Sequence, residues 1–225
     1  MAGEIGVAHS TVHAILRRYG CSRAPKAKRA EVCRYEWPCP GDLLHIDVKR
    51  YPRFLRPGHA VTGDRTKTHA EKVAKLGDDF FHAVVDDHSR LAYGELLDDE
   101  KAATVTAFMQ RALAWFADRG ITTRRLMTDG AWAYTHNRSL AELLALRGVR
   151  HLVTRPYRPQ TNGKVERFHQ TMAREWGYGV LYRSHRHRQA ALRYWICHYN
   201  ERRPHSALGG QAPISRVRDL CGQDI

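Results

Sequence analysis

Alternating apolar and polar residues predict a series of short strands along the chain. The segment LLHIDV (43–48) predicts the first strand. FFHAVVD (80–86) and LAYGELL (91–97) predict two more, and the tight polar turn between them indicates a hairpin. Two further apolar runs, at residues 124–129 and 149–154, predict a fourth and a fifth strand.

Apolar residues at helical spacing predict four helices between and after these strands. They cover residues 101–119 and 139–147, a segment that begins near Asn162, and about 184–202. The apolar residues between positions 49 and 79 follow neither the helical nor the strand period, so we expect a long basic loop there. Strands that come first as a meander and then alternate with helices favour an α/β fold, in which a mixed sheet carries helices on both faces.

A short helical segment precedes this main body. Residues 1–20 predict one helix, which Ser10 could cap. The turn before Ser10 resembles the turn before the recognition helix of a helix-turn-helix, in which Arg17 and Arg18 would meet DNA phosphates. Since that motif needs helices upstream, the segment is either a partial, truncated helix-turn-helix or a plain N-terminal helix. Residues 21–41 then predict a basic, proline-containing linker.

The charge of the chain indicates which kind of partner it binds. It carries 37 Lys and Arg against 23 Asp and Glu, a formal net charge of +14, which favours nucleic acid first and an acidic membrane surface second. Because no run of about 18 apolar residues exists and the N-terminus lacks the apolar core of a signal peptide, we expect no membrane partner. The five cysteines form no CxxC pair, which favours reduced thiols in a cytoplasmic protein.

Three carboxylates stand out because of where the predicted elements place them. Strand alternation puts Asp47 on the face opposite to Leu44 and Ile46. Asp129 closes a strand at its carboxyl end, where ligands gather in open α/β sheets. At about 100° per residue, Glu166 falls at the border of the buried stripe of its helix. That stripe consists of Val165, Phe168, Met172 and Trp176.

Each acid alone has an ordinary structural explanation. An aspartate at a strand end usually forms a turn, and a glutamate in a first helical turn usually favours the helix dipole. Three carboxylates that converge on a basic protein make chemical sense if divalent metal lies between them and a phosphodiester. Oxygen ligands suit Mg²⁺ or Mn²⁺, and two such ions could activate a nucleophilic oxygen and stabilise the leaving oxygen.

Five blocks of sequence resemble the bacterial insertion-sequence transposases that share the retroviral-integrase catalytic core. In order they are LLHIDVKRY, VVDDHSRLAYGEL, LMTDGAWAY, RPYRPQTNGKVERFHQTM and HYNERRPHSALGGQAPISR. The resemblance implies a ribonuclease H-like five-stranded mixed sheet over about residues 42–220. It also implies a D, D, E triad of Asp47, Asp129 and Glu166, which would catalyse the reaction and hold two Mg²⁺ (or Mn²⁺) ions.

The implied activity is that of a DDE-type DNA transposase. Water attacks a phosphodiester at the transposon end, and the freed 3′-hydroxyl attacks target DNA. The partners would be transposon ends and target DNA, bound by at least a homodimer in the bacterial cytoplasm near the nucleoid. Two alternatives remain open: a DNA-binding relative that is inactive or truncated, and a ribonuclease H-like nuclease without strand transfer.

Basic residues near Glu166 are the predicted DNA contacts. They are Arg155, Arg158, Lys164 and Arg167, in addition to Arg17 and Arg18 of the N-terminal segment. We further expect Asn162 to start the helix, as a cap or as a residue in left-handed conformation. Asp86 and Asp87 are expected to form the hairpin turn, although either could support the site.

Overall fold

A short N-terminal unit and a larger unit make up the chain, Met1–Tyr35 and Glu36–Ile225. The computed structural model describes residues 6–23, 35–58, 62–66, 69–154 and 162–217. In the first unit, helix α1 (His9–Arg18) has no buried residues and carries Arg17 and Arg18 in its last turn. The N-cap is Ala8, without a side-chain hydrogen bond, so the prediction that Ser10 caps this helix was wrong; Ser10 lies inside it.

Five strands in the second unit form one mixed sheet in the order β3-β2-β1-β4-β5. They are β1 (Leu44–Pro52), β2 (Asp78–Asp86), β3 (Ala92–Leu97), β4 (Arg125–Thr128) and β5 (Arg150–Val153). The first three pair antiparallel, and β4 joins β1 and β5 in parallel. The predicted mixed five-stranded sheet of ribonuclease H-like type is confirmed, as is the β2–β3 hairpin.

Helices connect and cover these strands. They are α2 (His69–Val73), α3 (Ala102–Ala117), α4 (Trp132–Thr135), α5 (Arg138–Leu146), α6 (Gly163–Met172) and α7 (His185–Glu201). A π-helical turn, Ala173–Gly177, continues α6, and a 3-10 turn, Ser206–Leu208, follows α7. Among the residues that the structure describes, no helix is long and apolar enough to cross a membrane.

The prediction of an unbroken loop over residues 49–79 was wrong. Strand β1 continues to Pro52, paired with β2 as far as Asp78, and α2 also lies in this stretch. In this extension Tyr51 alone is buried, next to the exposed residues Lys49, Arg50 and Pro52. The extension was missed because a single apolar position between polar residues is too short to reveal a period of two.

Two hydrophobic cores cover the two faces of the sheet. On one face, Leu44 and Ile46 pack with α3 and α5. On the other face, Ala83 and Val85 pack with α6 and α7. The predicted stripe of Val165, Phe168, Met172 and Trp176 is buried in this second core. The strand order makes β1 and β4 interior strands of the sheet. Because helices also cover both faces, polar side chains on these strands lie in a largely buried setting.

Candidate active site

Asp47 and Asp129 lie just beyond the paired residues of two neighbouring strands. In the parallel pairing of β1 with β4, Leu44 lies opposite Leu126 and His45 opposite Met127. Continued by two residues, this register places Asp129 level with Asp47, and neighbouring strands are about 4.8 Å apart. Both aspartates line one cavity of about 460 Å³ at the carboxyl end of β4.

The walls of this cavity come from three segments. Besides the two aspartates, they are Val48, Glu100, Lys101, Ala102, Val105, Ala131, Trp132, Ala133 and Tyr134. Trp132 is largely exposed and stacks on His136, with ring centroids 3.6 Å apart. Asp129 accepts a hydrogen bond from the backbone N–H of Ala131 at 3.0 Å. This hydrogen bond holds Asp129 Oδ1 at the turn, and the same side chain also lines the cavity. Asp129 can therefore form the turn and belong to the site at the same time.

Electrostatics tie the third acid to the other two. Burial, and after it the negative charges of Asp129 and Glu166, raise the pKa of Asp47 from 3.8 to about 6. Burial first, and then the charges of Asp47, Asp129 and Glu100, raises the pKa of Tyr134. Glu166 therefore lies close enough to Asp47 for their charges to repel, although it does not line the 460 Å³ cavity.

Glu166 owes its place to the packing of α6. It is exposed in the first turn of that helix, directly after Val165, which is fully buried. Helix α6 packs on β1 and β2, and β1 is the strand that carries Asp47. An exposed Glu166 beside a buried Val165 agrees with the border of the stripe that the helical period predicts.

The acidic side chains of the site suit a divalent ion that takes few protein ligands. Within the described residues, no group of three or more His, Cys, Asp or Glu side chains is arranged to hold a metal ion. Mg²⁺ usually takes only one or two protein carboxylates and completes its shell with water and substrate phosphate. Two adjacent aspartates, one of them with a pKa raised by burial and by like charges, fit such a hard cation because it would offset that repulsion.

His169 is a site residue that sequence reasoning missed. Its Nε2 lies 3.5 Å from Asp47 Oδ2, and the ring is buried. Burial, helped by the charge of Lys49, lowers the pKa of His169 to about 3, so the ring is neutral near pH 7. A helical projection could have found it, because it falls about 40° from Val165 on the buried stripe.

A buried network holds the start of α6 against β1 and the hairpin turn. His45 Nε2 donates to Asp87 Oδ1 at 2.8 Å, and His45 Nδ1 lies 3.1 Å from Asn162 Oδ1. The Lys164 ammonium also pairs with Asp87, whose second oxygen accepts from the backbone N–H of Trp37 at 2.8 Å. Since Asn162 is the N-cap of α6 and Lys164 lies in its first turn, the network fixes the start of the helix that carries Glu166.

Several predictions about this region need revision. Asn162 does occupy the N-cap, but its side chain caps no helical N–H and its φ of −101° is not left-handed; its side chain serves His45 instead. Asp86 forms the turn by accepting two bonds from Ser89, each of 2.7 Å. Asp87, fully buried, supports the site.

The predicted DNA contacts differ in burial and in their position in the structure. Lys164 is mostly buried on Asp87, and Arg167 is exposed on α6. Arg155 and Arg158 lie outside the described residues. Arg17 and Arg18 lie on α1 in the other unit. As DNA contacts, all six residues stay predictions.

Replacing Asp87 with alanine is expected to lower the free energy of unfolding by about 3 kcal/mol, because it removes the buried acceptor of His45 and Lys164. Urea denaturation measures the loss. The matched control is Asp98→Ala, since Asp98 is 94% exposed in its ion pair with Arg53 and should cost less than about 0.5 kcal/mol. Equal losses in the two variants would contradict a supporting role for Asp87.

Comparison with known protein families gives a consistent match. Residues 39–159 match a family described as "Integrase core domain", and residues 147–213 match a second family of the same description. The Gag-Pro-Pol polyprotein of mouse mammary tumor virus (strain BR6) is 33% identical over 121 residues, which are 54% of this chain and 6% of that protein. The "Putative integrase ORF3" of Spiroplasma virus SpV1-C74 is 24% identical over 63% of this chain and 42% of its own length. The chain thus spans less than half of either relative.

Solved structures share the fold. The catalytic core domain of BIV integrase superposes with a TM-score of 0.54 at 17% identity, over 81% of this chain and 97% of that one. A chain of the simian T-cell lymphotropic virus intasome in complex with PP2A regulatory subunit B56 gamma superposes with a TM-score of 0.62 at 14% identity. The match covers 96% of this chain and 68% of that one. The HTLV-2 integrase catalytic core domain, solved in complex with magnesium in a trimeric form, superposes with a TM-score of 0.56 at 12% identity. The match covers 80% of this chain and 98% of that one.

Proposed function

Because the chain belongs to the integrase core domain family, we propose that it is the DDE-type DNA transposase of a bacterial insertion sequence. It cuts a phosphodiester at the element's end and transfers the freed strand to target DNA. Two observations support the proposal. Asp47 and Asp129 line one cavity beside the paired ends of β1 and β4, and the charges of Asp129 and Glu166 both raise the pKa of Asp47.

The three acids would hold two Mg²⁺ or Mn²⁺ ions. When bound, the ions supply Lewis-acid activation and charge neutralisation at the phosphodiester. The site's own residues prepare this arrangement. Asp129 has one oxygen fixed by the Ala131 N–H, and His169 approaches Asp47 as a neutral ring. A neutral neighbour adds no positive charge that would compete with a metal ion.

The reaction has two displacements at phosphorus. In the first, water adds to the phosphodiester at the element's end, and the bond to the 3′-oxygen breaks with transfer of a proton to that oxygen. In the second, this 3′-hydroxyl loses its proton to solvent and attacks a phosphodiester of target DNA, and the bond to a target 3′-oxygen breaks as that oxygen takes up a proton. The net charge of +14 favours binding of both DNA substrates.

Further parts of the proposal concern assembly and location. Two element ends must be joined together, so the protein acts as a homodimer or a larger assembly on DNA. An integrase with the same fold was solved in an intasome, and another in a trimeric form. We place the protein in the bacterial cytoplasm with the nucleoid, where its DNA substrates are.

The test is an assay with the purified full chain, a labelled duplex that carries the element's end, and a plasmid target. Joined product with Mg²⁺ and none with EDTA supports the proposal. Cleaved ends that are never joined would favour a nuclease of the same fold. DNA binding without any cleavage would favour an inactive relative.

A further inference from the structure

A cavity of about 210 Å³ lies where the segment after β1 meets the turn between α6 and α7. We call it the aromatic cavity. It is lined by Phe54, Pro57, Gly58, Gly177, Tyr178, Val180, Tyr182 and Arg188. These residues differ from those described for the cavity of Asp47 and Asp129. The function proposed above uses none of them.

The wall formed by residues 177–182 packs closely on its neighbours. A Cβ on Gly177 would lie 2.5 Å from Cε1 of Tyr51, and a Cβ on Gly179 would lie 1.9 Å from the backbone oxygen of Arg174. Only glycine permits such close approaches. Apolar residues of the same segment stay exposed to solvent: Tyr178, Val180 and Leu181. The cavity is therefore built into the fold and has an apolar rim.

Arg188 is the charged residue of the described lining, and it is only 2% exposed. Its guanidinium lies over the rings of Phe54, Trp176 and Tyr51, with Cζ 5.0, 5.6 and 5.7 Å from their centroids. Nη2 donates to the backbone oxygen of Pro52 at 2.9 Å. Among the described residues, neither Nη1 nor the buried Nε has a hydrogen-bond acceptor. Since buried polar groups are nearly always paired, the guanidinium can take a further acceptor.

The carboxylate beside Arg188 is shared with other cations. Oδ2 of Asp79 lies 3.7 Å from Nη2 of Arg188 and 3.2 Å from Nε2 of His185. Oδ1 of Asp79 accepts a hydrogen bond from Nε of Arg53 at 2.8 Å. Burial lowers the pKa of Arg188, and this effect outweighs the attraction of Asp79. A second carboxylate at the guanidinium would therefore be stabilised by a charge-assisted hydrogen bond.

The lining discriminates between classes of ligand. Aromatic rings alone would suit a cation, but the positive charge of Arg188 repels one. Phosphate or sulfate would leave charged oxygens against apolar walls, which is costly. A volume of about 210 Å³ is below the roughly 300–1,000 Å³ of sites for drug-sized ligands, so the cavity suits a molecule with a single ring. A ring that carries one carboxylate matches both the apolar walls and the guanidinium.

We propose that the aromatic cavity is a binding site for a small aryl carboxylate. The ring of the ligand packs against Phe54 and Tyr182, and its carboxylate accepts hydrogen bonds from the guanidinium of Arg188. Gly177 ends the π-helical turn that continues α6, so a bound ligand stabilises the turn between α6 and α7. The proposal does not depend on the proposed reaction, because the ligand contacts neither the triad nor DNA.

The test is isothermal titration calorimetry of the full chain with phenylacetate, without metal or DNA. We expect a Kd on the order of 0.1–1 mM, as suits a ligand of this size. 2-Phenylethanol has the ring without the charge, and acetate has the charge without the ring. Each should bind at least about tenfold more weakly than phenylacetate.

Three results would overturn the proposal at this stage. Phenylacetate that does not bind would show that the cavity is no such site. Acetate that binds as well as phenylacetate would make it a simple anion site. 2-Phenylethanol that binds equally well would make it a simple apolar cavity.

Arg188→Met tests the role of the guanidinium, because it removes the charge and keeps a long side chain. Phenylacetate should bind at least about tenfold more weakly, while 2-phenylethanol stays within about twofold of its affinity for the wild type. Such a change in selectivity would not follow from a loss of packing alone. Equal losses for both ligands would show that Arg188 only supports the fold, and would overturn the proposal.

A surface variant decides the question if Arg188→Met does not fold. Val180 lines the cavity and is 47% exposed, so Val180→Trp should fill its mouth without unfolding the protein. Leu181→Trp is the matched control, since Leu181 is 65% exposed and lies outside the described lining. Val180→Trp should weaken phenylacetate binding at least about tenfold and Leu181→Trp by less than about twofold, with both Tm values close to that of the wild type. Equal affinities of the two variants would contradict binding in this cavity.

Discussion

Asp47→Asn, Asp129→Asn and Glu166→Gln are each expected to reduce Mg²⁺-dependent strand transfer at least about a thousandfold, equivalent to about 4 kcal/mol of transition-state stabilisation. Each substitution removes one negative oxygen from a site whose charge is needed to hold divalent metal against DNA phosphate. DNA affinity without metal should stay within about threefold, since none of the three acids can bind a phosphate directly.

Joined product from a labelled element end is the measurement, made at saturating DNA so that binding does not limit the rate. Asp98→Asn is the control, because this acid is exposed at the surface and does not line the cavity of Asp47 and Asp129. It should retain full activity. Strand transfer that survives in any one of the three variants would remove that acid from the triad.

Asp47→Asn is also expected to stabilise the metal-free protein near pH 7.5. The pKa of Asp47 is raised from 3.8 to about 6 because the charged form is buried beside Asp129 and Glu166. Such a shift corresponds to at most about 3 kcal/mol. Since the side chain is 28% exposed, solvent screening reduces this to about 1–2 kcal/mol, or a Tm higher by about 3–6 °C.

The direction of the pH dependence follows from the raised pKa. Relative to the unfolded chain, Asp47 contributes stability that is fully present below pH 3.8 and is lost as the pH rises through about 6. The Tm advantage of Asp47→Asn should therefore shrink between about pH 7.5 and pH 5. Added Mg²⁺ should stabilise the wild type more than the variant. A variant that melts below the wild type in EDTA at about pH 7.5 would contradict this charge repulsion.

Much of the fold could be predicted because its signals are local. The β2–β3 hairpin follows from two apolar runs around a polar turn, and the buried stripe of α6 follows from its period. The edge position of Glu166 needs only that period. The resemblance to transposases then linked it with Asp47 and Asp129, whose adjacency depends on a strand register that no local pattern specifies.

The features that were missed depend on contacts between distant parts of the chain. His45 meets Asp87 and Asn162 across 42 and 117 residues, and such pairings become visible only when the sheet is assembled. Asn162 was predicted to be a cap because asparagine often is one, but a buried histidine competes for its side chain. Likewise, a cavity of about 550 Å³ combines residues of the hairpin turn, α6, α7 and the 3-10 turn.

The most direct test is to locate the metal ions in crystals of the full chain grown with Mn²⁺ and a short duplex that carries the element's end. Anomalous diffraction at the manganese edge shows the ions without reference to activity. We expect ions about 2.0–2.2 Å from carboxylate oxygens of Asp47 and Asp129, with Glu166 as a further ligand. Ions bound elsewhere, or a Glu166 carboxylate that turns away from them in the DNA complex, would contradict the triad.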